Sequence, residues 1–291
     1  MKIPKSYKGF ITRNKCDGCW DCAEIFTTPK CNNNCDFCIA KDLMKSFPAD
    51  TDFDVEKVSE AINKTNHKYI MFSGGEPLLY IKKVIQVVKN IKGREVYIYT
   101  SLPKVNPDDL NELLENIAGM NISVLSENYK RVEWFRNTPV GYDRNSLLAS
   151  LPHKEKIQLS MILLPGFIKE DVFKCVNYFY KMGFRTFHIT EADWARHYRS
   201  FERIFGVKLK SPYSHGCSSD ISYMFENYPD ITVRVRRRCF LIEQSCEASF
   251  LDLLKILIKR FILRNRKKFY QTYIRFDGKI CHSYEELKET K

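Results

Sequence analysis

The chain has 291 residues, 44% of them hydrophobic and 28% charged, and a net charge of +12. This length admits one large α/β unit with a modest extension and excludes two full barrels, and the composition excludes a disordered chain. No signal-like stretch opens the sequence and no run approaches the ~18 apolar residues of a membrane span, so a soluble, cytoplasmic protein without a transmembrane segment is expected.

Eleven cysteines in such a protein point to metal ligation, because cytosolic thiols stay reduced and rarely pair. Residues 1–23 form an N-terminal cysteine-containing segment with Cys16, Cys19 and Cys22 in C-x2-C-x2-C spacing. Three ligands are dense enough for metal but incomplete. An auxiliary iron–sulfur cluster or a zinc there needs a distant fourth ligand, and unligated thiols are the competing reading.

From Glu24 onward, strand-like runs alternate with helix-like ones. Strands are expected at Glu24–Thr28, Tyr69–Ser73, Glu95–Thr100, Asn121–Ser126, Lys156–Leu163 and Thr186–Thr190. Helical spacing appears in Val55, Val58, Ala61 and Ile62, in Ile81, Val84, Ile85 and Val88, in Leu110, Leu113, Leu114 and Ile117, and in Val172, Cys175, Val176 and Phe179. Asp54, and Asp108 and Asp109 after Pro107, read as helix starts. Six strand–helix units over residues 24–190 predict an α/β fold, a partial (β/α)6 TIM-like barrel with reactive loops at the C-terminal ends of its strands.

The first strand leads into Cys31-Asn32-Asn33-Asn34-Cys35-Asp36-Phe37-Cys38, a C-x3-C-x2-C spacing. Three thiolates can bind three irons of a 4Fe-4S cube and leave the fourth open, whereas a structural zinc wants four closed ligands. The second strand ends in Gly74-Gly75-Glu76-Pro77. Paired glycines let backbone approach a ligand closely, and a carboxylate suits an ammonium group.

These two elements, one strand–helix unit apart, resemble the radical S-adenosylmethionine (radical SAM) superfamily, whose motif also has an aromatic, here Phe37, before the third cysteine. The resemblance covers residues 24–190 and implies a 4Fe-4S cluster on Cys31, Cys35 and Cys38, with S-adenosylmethionine against Phe37, Gly74, Gly75, Glu76 and Pro77. Glu76 is then expected to help hold the amino group. Ser160, and Ser123 or Ser126, match by position a polar residue reaching the ribose or carboxylate, and His188, Ile189 and Thr190 would lie beside the adenine. The implied chemistry is reductive C–S cleavage to a 5′-deoxyadenosyl radical that takes hydrogen from a substrate. Cluster potentials reach about −700 mV, and a flavodoxin or ferredoxin is the implied electron donor.

Residues 191–291 form a basic C-terminal extension. Residues 231–281 alone hold thirteen Lys or Arg against four acids, with Arg234, Arg236, Arg237 and Arg238 in a β-like run and Phe261, Phe269, Tyr270 and Tyr273 interleaved farther on. Such a face suits RNA or a nucleotide, and also an acidic peptide, while the bland reading is a solvated basic helix. Cys217, Cys239, Cys246 and Cys281 count four, enough for an auxiliary metal site, although their long spacings depart from the family's tighter groupings. The competing functions are a radical enzyme on RNA or a nucleotide, one on a peptide or other small molecule (a glycyl-radical activase included), and a nonenzymatic metal-binding or nucleic-acid-binding protein.

Overall fold

The structure is a computed structural model describing residues 22–38, 40–48, 51–163, 167–191, 219–225, 228–237, 272–282 and 284–289. The six expected strands are present as β1 (Cys22–Phe26), β2 (Tyr69–Ser73), β3 (Glu95–Thr100), β4 (Gly119–Ser123), β5 (Ile157–Leu163) and β6 (Thr186–Glu191). Each pairs in parallel with the next. Such pairing needs a crossover between strands, and helices α2 (Val55–Asn63), α3 (Ile81–Asn90), α4 (Pro107–Asn116) and α7 (Lys169–Lys181) supply crossovers.

Local chemistry sets the starts of these helices. The Asp54 carboxylate accepts from the Lys57 amide at 3.0 Å. Asn106 rather than an aspartate caps α4, accepting from the Asp108 amide at 2.8 Å with Pro107 at the first helical position. Their apolar stripes pack on one face of the sheet, where Ile70, Phe72, Ile98 and Ile122 are fully buried. The opposite face carries polar pairs beside Phe26, Met71 and Tyr97: Ser73 donates to Glu24 Oε1 at 2.6 Å, and Asn121 donates to Gln158 Oε1 at 3.0 Å.

Four features differ from the sequence expectation, the first being that β1 spans Cys22–Phe26 rather than Glu24–Thr28. The sheet does not stop at six strands, because the C-terminal third supplies both of its edges. β9 (Thr272–Arg275) runs parallel to β1 with β10 (Ile280–Cys281) antiparallel to it, and β8 (Tyr228–Arg237) runs parallel to β6 with β7 (Ser219–Phe225) antiparallel to it. The sheet remains open. β4 ends at Ser123 rather than Ser126, because the chain turns at Leu125, whose φ of 57° no strand can carry. Two short helices, α5 (Tyr129–Arg136) and α6 (Arg144–Ser150), follow β4 where none was expected. In α5 the buried residues are Val132, Phe135 and Arg136, too few and too polar to make an apolar stripe. Short helices α1 (Lys41–Lys45) and α8 (Tyr284–Lys288) complete the described chain, and among the described residues no helix is long and apolar enough to cross a membrane.

Candidate metal and cofactor site

At the C-terminal ends of β1 to β6 lies a cavity of about 270 Å³. Its wall brings together Cys31, Cys35, Cys38 and Phe37 from the loop after β1, Ser73 at the end of β2 with Gly74 to Glu76 after it, Ser101 after β3, and Ser123, Leu125, Arg136, Ile162 and Thr190 from later elements.

The glycines of the 74–75 pair have a job the sequence alone did not reveal. Gly74 has φ +112°, and a Cβ on Gly75 would stand 2.0 Å from the Lys30 carbonyl oxygen. The close approach they permit is to the backbone leading into the cysteines. There the Gly75 amide donates to Thr28 O at 2.8 Å, the Glu76 amide to Lys30 O at 2.9 Å, and the Thr27 amide to Ser73 O at 3.1 Å. The two loops are stitched together by main chain.

Glu76 is buried and lines the cavity, yet its carboxylate is already surrounded. Oε1 accepts from the Leu78 amide (3.1 Å) and Thr100 Oγ1 (2.6 Å), and Oε2 accepts from the Ser101 amide (2.7 Å) and hydroxyl (2.6 Å). Asn33 Nδ2 donates to the same Ser101 hydroxyl at 2.8 Å, and the Asn33 amide donates to Cys31 Sγ at 3.4 Å. A continuous chain of hydrogen bonds therefore links the Glu76 carboxylate to one cysteine sulfur.

On the far side, the C-terminus of α5 grips the cysteine loop. The Asn34 amide donates to Arg136 O at 2.9 Å, while Asn137, in the left-handed region at φ 49°, donates through Nδ2 to Asn34 O and Asp36 Oδ2. Sequence reading missed Arg136 and Asn137 as well as Ser101 and Thr100. A signal existed: Asn128 at the start, and Asn137 followed two residues later by Pro139, frame a short helix.

Burial raises all three thiols above their ordinary value. Cys35 is pushed up to about 12 by burial, against the opposing pull of the Arg136 guanidinium. Cys31 and Cys38 rise for the same first reason, Cys31 helped by the Glu76 charge and Cys38 opposed by Lys41. A metal bound by these thiols would therefore displace protons. Among the described residues no three Cys, His, Asp or Glu side chains converge on a point where one ion would sit. The cavity wall offers three thiol sulfurs, a donor set that suits three irons of a 4Fe-4S cube with the fourth left open.

Of the other sequence candidates, Pro77 opens a 3-10 turn behind the cavity, Ser126 bonds Glu127 Oε2 at 3.1 Å, and Ser160 lies 3.5 Å from His188 Nδ1; none of the three lines the cavity, whereas Ser123 and Thr190 do. Cys22 is buried in β1 and Cys281 is fully buried in the core. Cys16, Cys19, Cys217, Cys239 and Cys246 lie outside the described residues.

The profile of the radical SAM superfamily matches residues 25–190, which spans β1 through β6 and the whole cavity wall. The chain belongs to the radical SAM superfamily. It is thus an iron–sulfur enzyme, and the family implies a 4Fe-4S cluster and S-adenosylmethionine. Among curated proteins it is similar to "GTP 3',8-cyclase" of Limosilactobacillus fermentum, 26% identical over 169 residues (54% of this chain and 50% of the relative). The corresponding protein of Lactiplantibacillus plantarum is 24% identical over 175 residues, with the same coverage. The chain spans about half the length of these relatives. Among solved structures it shares its fold with Streptococcus suis SuiB bound to precursor peptide SuiA, at TM-score 0.59 and 12% identity over 93% of this chain and 61% of that one. It shares it also with native anSMEcpe with bound AdoMet, at TM-score 0.51 and 15% identity over 93% and 75%.

Proposed function

We propose that Cys31, Cys35 and Cys38 hold the cluster, that the cavity beside them takes S-adenosylmethionine, and that the substrate is a nucleotide carrying phosphate. The observation that carries the first two statements is the meeting of the three cysteines with the Gly74–Glu76 loop on one cavity wall at the C-terminal mouth of the sheet. When bound together, the two cofactors supply a 5′-deoxyadenosyl radical by reductive C–S cleavage, with the electron drawn from a flavodoxin- or ferredoxin-type donor. The protein's own contribution is placement. The loop keeps Cys31, Cys35 and Cys38 half-buried, the Gly75 and Glu76 amides fix the height of that loop, and Arg136 offers a cation to a carboxylate at the cavity wall. Glu76, with four donors of its own, braces β3 against the glycine loop and so sets the shape of the pocket for an amino group.

Two facts support a nucleotide substrate. In the parallel pairing of β8 with β6, Arg234 takes the register position beside His188, and Arg236 the one beside Thr190, a residue of the cavity wall. Basic residues of the C-terminal third are thereby carried to the reaction end of the sheet, where phosphate oxygens suit guanidinium groups. In addition, both of the curated relatives named above, each matched over 54% of this chain, are GTP 3',8-cyclases.

Anaerobically reconstituted protein with dithionite and S-adenosylmethionine is expected to form 5′-deoxyadenosine, and Cys35→Ala to form none. Absence of the product from the wild type under strong reductant overturns the enzyme reading. For the substrate, nucleoside triphosphate binding measured across a salt series should weaken steeply with salt and fall at least tenfold in Arg234→Glu/Arg236→Glu. Equal binding by the variant, or tighter binding of acidic peptides than of nucleotides, overturns the substrate class.

A further inference from the structure

Two arginines beside the cavity lack the partner that buried arginines ordinarily have. Arg131 and Arg275 each reach a carboxylate, Asp171 at 2.7 Å and Asp277 at 2.5 Å. Arg136 and Arg144 are more buried than Arg131, each 3% exposed, and neither has a carboxylate partner among the described residues. Both instead direct one terminal nitrogen at the same acceptor, the Ser123 carbonyl, Arg136 at 2.9 Å and Arg144 at 2.5 Å. Arg136 also donates to Ser101 O at 3.1 Å, while Arg144 Nε is buried with no partner at all. Burial, and then the neighbouring Arg136, bring Arg144 down to about 9, which still leaves it charged at neutral pH.

Two like charges held on one carbonyl oxygen in a dry interior are costly, and folded proteins keep such charges only with compensation. Glu76 acts on the two guanidiniums only from a distance, because its oxygens accept from Leu78, Thr100 and Ser101 and from neither arginine. What remains is the cavity. Arg136 forms part of its wall and lies within electrostatic reach of Cys35 and Cys31, and Arg144 stands behind it, off the wall. An iron–sulfur cube on three thiolates is anionic and gains one more negative charge on accepting an electron, so a fixed positive pair favours the reduced form. Net charge around a cluster is one of the levers that set its potential.

We propose that Arg144 is a positioning residue which, with Arg136, forms a fixed pair of positive charges that raises the reduction potential of the cluster held by Cys31, Cys35 and Cys38. This rests on the cluster assignment above. Arg144 is the informative member because it does not line the cavity, so its replacement changes charge without removing a group that touches bound S-adenosylmethionine.

The test is a mediated redox titration of the reconstituted full chain without S-adenosylmethionine, followed by the paramagnetic signal of the reduced cluster, for wild type, Arg144→Met and Arg144→Lys. Iron and sulfide content and the unfolding midpoint are measured alongside. Arg144→Met should lower the reduced-to-oxidised ratio at fixed solution potential about tenfold, about 59 mV for one electron, and Arg144→Lys should stay within about twofold of wild type. An unchanged ratio in Arg144→Met overturns the proposal, as does an equal shift in Arg144→Lys, which would make packing rather than charge the cause. If Arg144→Met does not fold, Arg144→Gln, neutral but still able to donate to Ser123 O, carries the same comparison. A wild type that holds no four-iron cluster defeats the assignment itself, whereas a loaded wild type with matching variants defeats only the proposal.

Discussion

Replacing Gly75 by alanine tests whether the glycine loop and the cysteine loop form one unit. The new Cβ would lie 2.0 Å from the Lys30 oxygen and 2.7 Å from its carbonyl carbon. Relief requires the two segments to part by at least about 1 Å, since non-bonded carbon and oxygen atoms settle well beyond 3 Å. The bonds from the Gly75 amide to Thr28 O (2.8 Å) and from the Glu76 amide to Lys30 O (2.9 Å) would then exceed hydrogen-bonding range. Two lost backbone bonds at about 0.5–1.5 kcal/mol each, with overpacking of about 1–3 kcal/mol, give roughly 2–6 kcal/mol. Urea unfolding of the apo-protein measures that loss, and iron per chain after reconstitution measures its effect on the cysteines. Gly93→Ala is the control: Gly93 has φ +77° but open space around it, so it should cost only the left-handed penalty of about 1–2 kcal/mol and leave iron content unchanged. A Gly75→Ala protein within about 0.5 kcal/mol of wild type and fully loaded with iron would refute the reasoning.

Asn137→Ala removes both the left-handed tolerance at φ 49° and the bonds to Asn34 and Asp36, and should cost about 1–2 kcal/mol while speeding alkylation of Cys35 in the apo-protein; Asn137→Gly, which keeps the backbone angle, should cost less. Unchanged alkylation in both variants would detach α5 from the cysteine loop. The half-buried thiols also set a pH dependence. Unfolded cysteines ionise near 9.0 whereas Cys35 ionises near 12, so the folded apo-protein binds more protons across that window. Its stability should be full below pH 9 and fall as pH rises, by up to about 1.4 kcal/mol per unit for each thiol. Urea midpoints at pH 8 and 10.5 should fall less for a Cys31/Cys35/Cys38→Ser triple variant than for wild type; equal slopes would remove burial as the cause.

Most of the sheet was legible because its strands are buried on the helix-facing side and bounded by turn residues. Tyr69–Ser73 and Glu95–Thr100 match their expected limits, and the apolar spacings of α2, α3, α4 and α7 each mark a helix that packs on that sheet. Likewise the cysteine spacing and Gly74–Pro77 are local signals, readable within a few residues. What escaped were contacts made at long sequence separation. Ser101 meets Glu76 and Asn33 from 25 and 68 residues away, and Asn137 meets Asp36 from 101. Short polar helices such as α5 give no period to detect. The β-like run at Arg234 to Arg237 was legible too, but its place at the edge of the sheet was not, and β9 joins β1 across nearly the whole chain.

Glu76→Gln separates a brace from a ligand. Each carboxylate oxygen accepts one backbone amide and one hydroxyl: Leu78 N and Thr100 Oγ1 on Oε1, Ser101 N and Ser101 Oγ on Oε2. A hydroxyl can rotate and accept from a new NH2 group, but a backbone amide cannot. Whichever way the glutamine amide is turned, its nitrogen faces the N–H of Leu78 or of Ser101, and one buried donor is left without a partner. The cost is about 1–3 kcal/mol for that donor, with a further loss because the remaining bonds are no longer to a charged group. Because the Ser101 hydroxyl also receives Asn33 Nδ2, the strain passes to the loop at Cys31. Glu76→Gln should therefore destabilise the apo-protein, where no ligand is present, and lower iron loading in parallel with stability. If stability and iron content match wild type and only affinity for S-adenosylmethionine falls, Glu76 serves the ligand's amino group directly and the brace assigned to it is wrong.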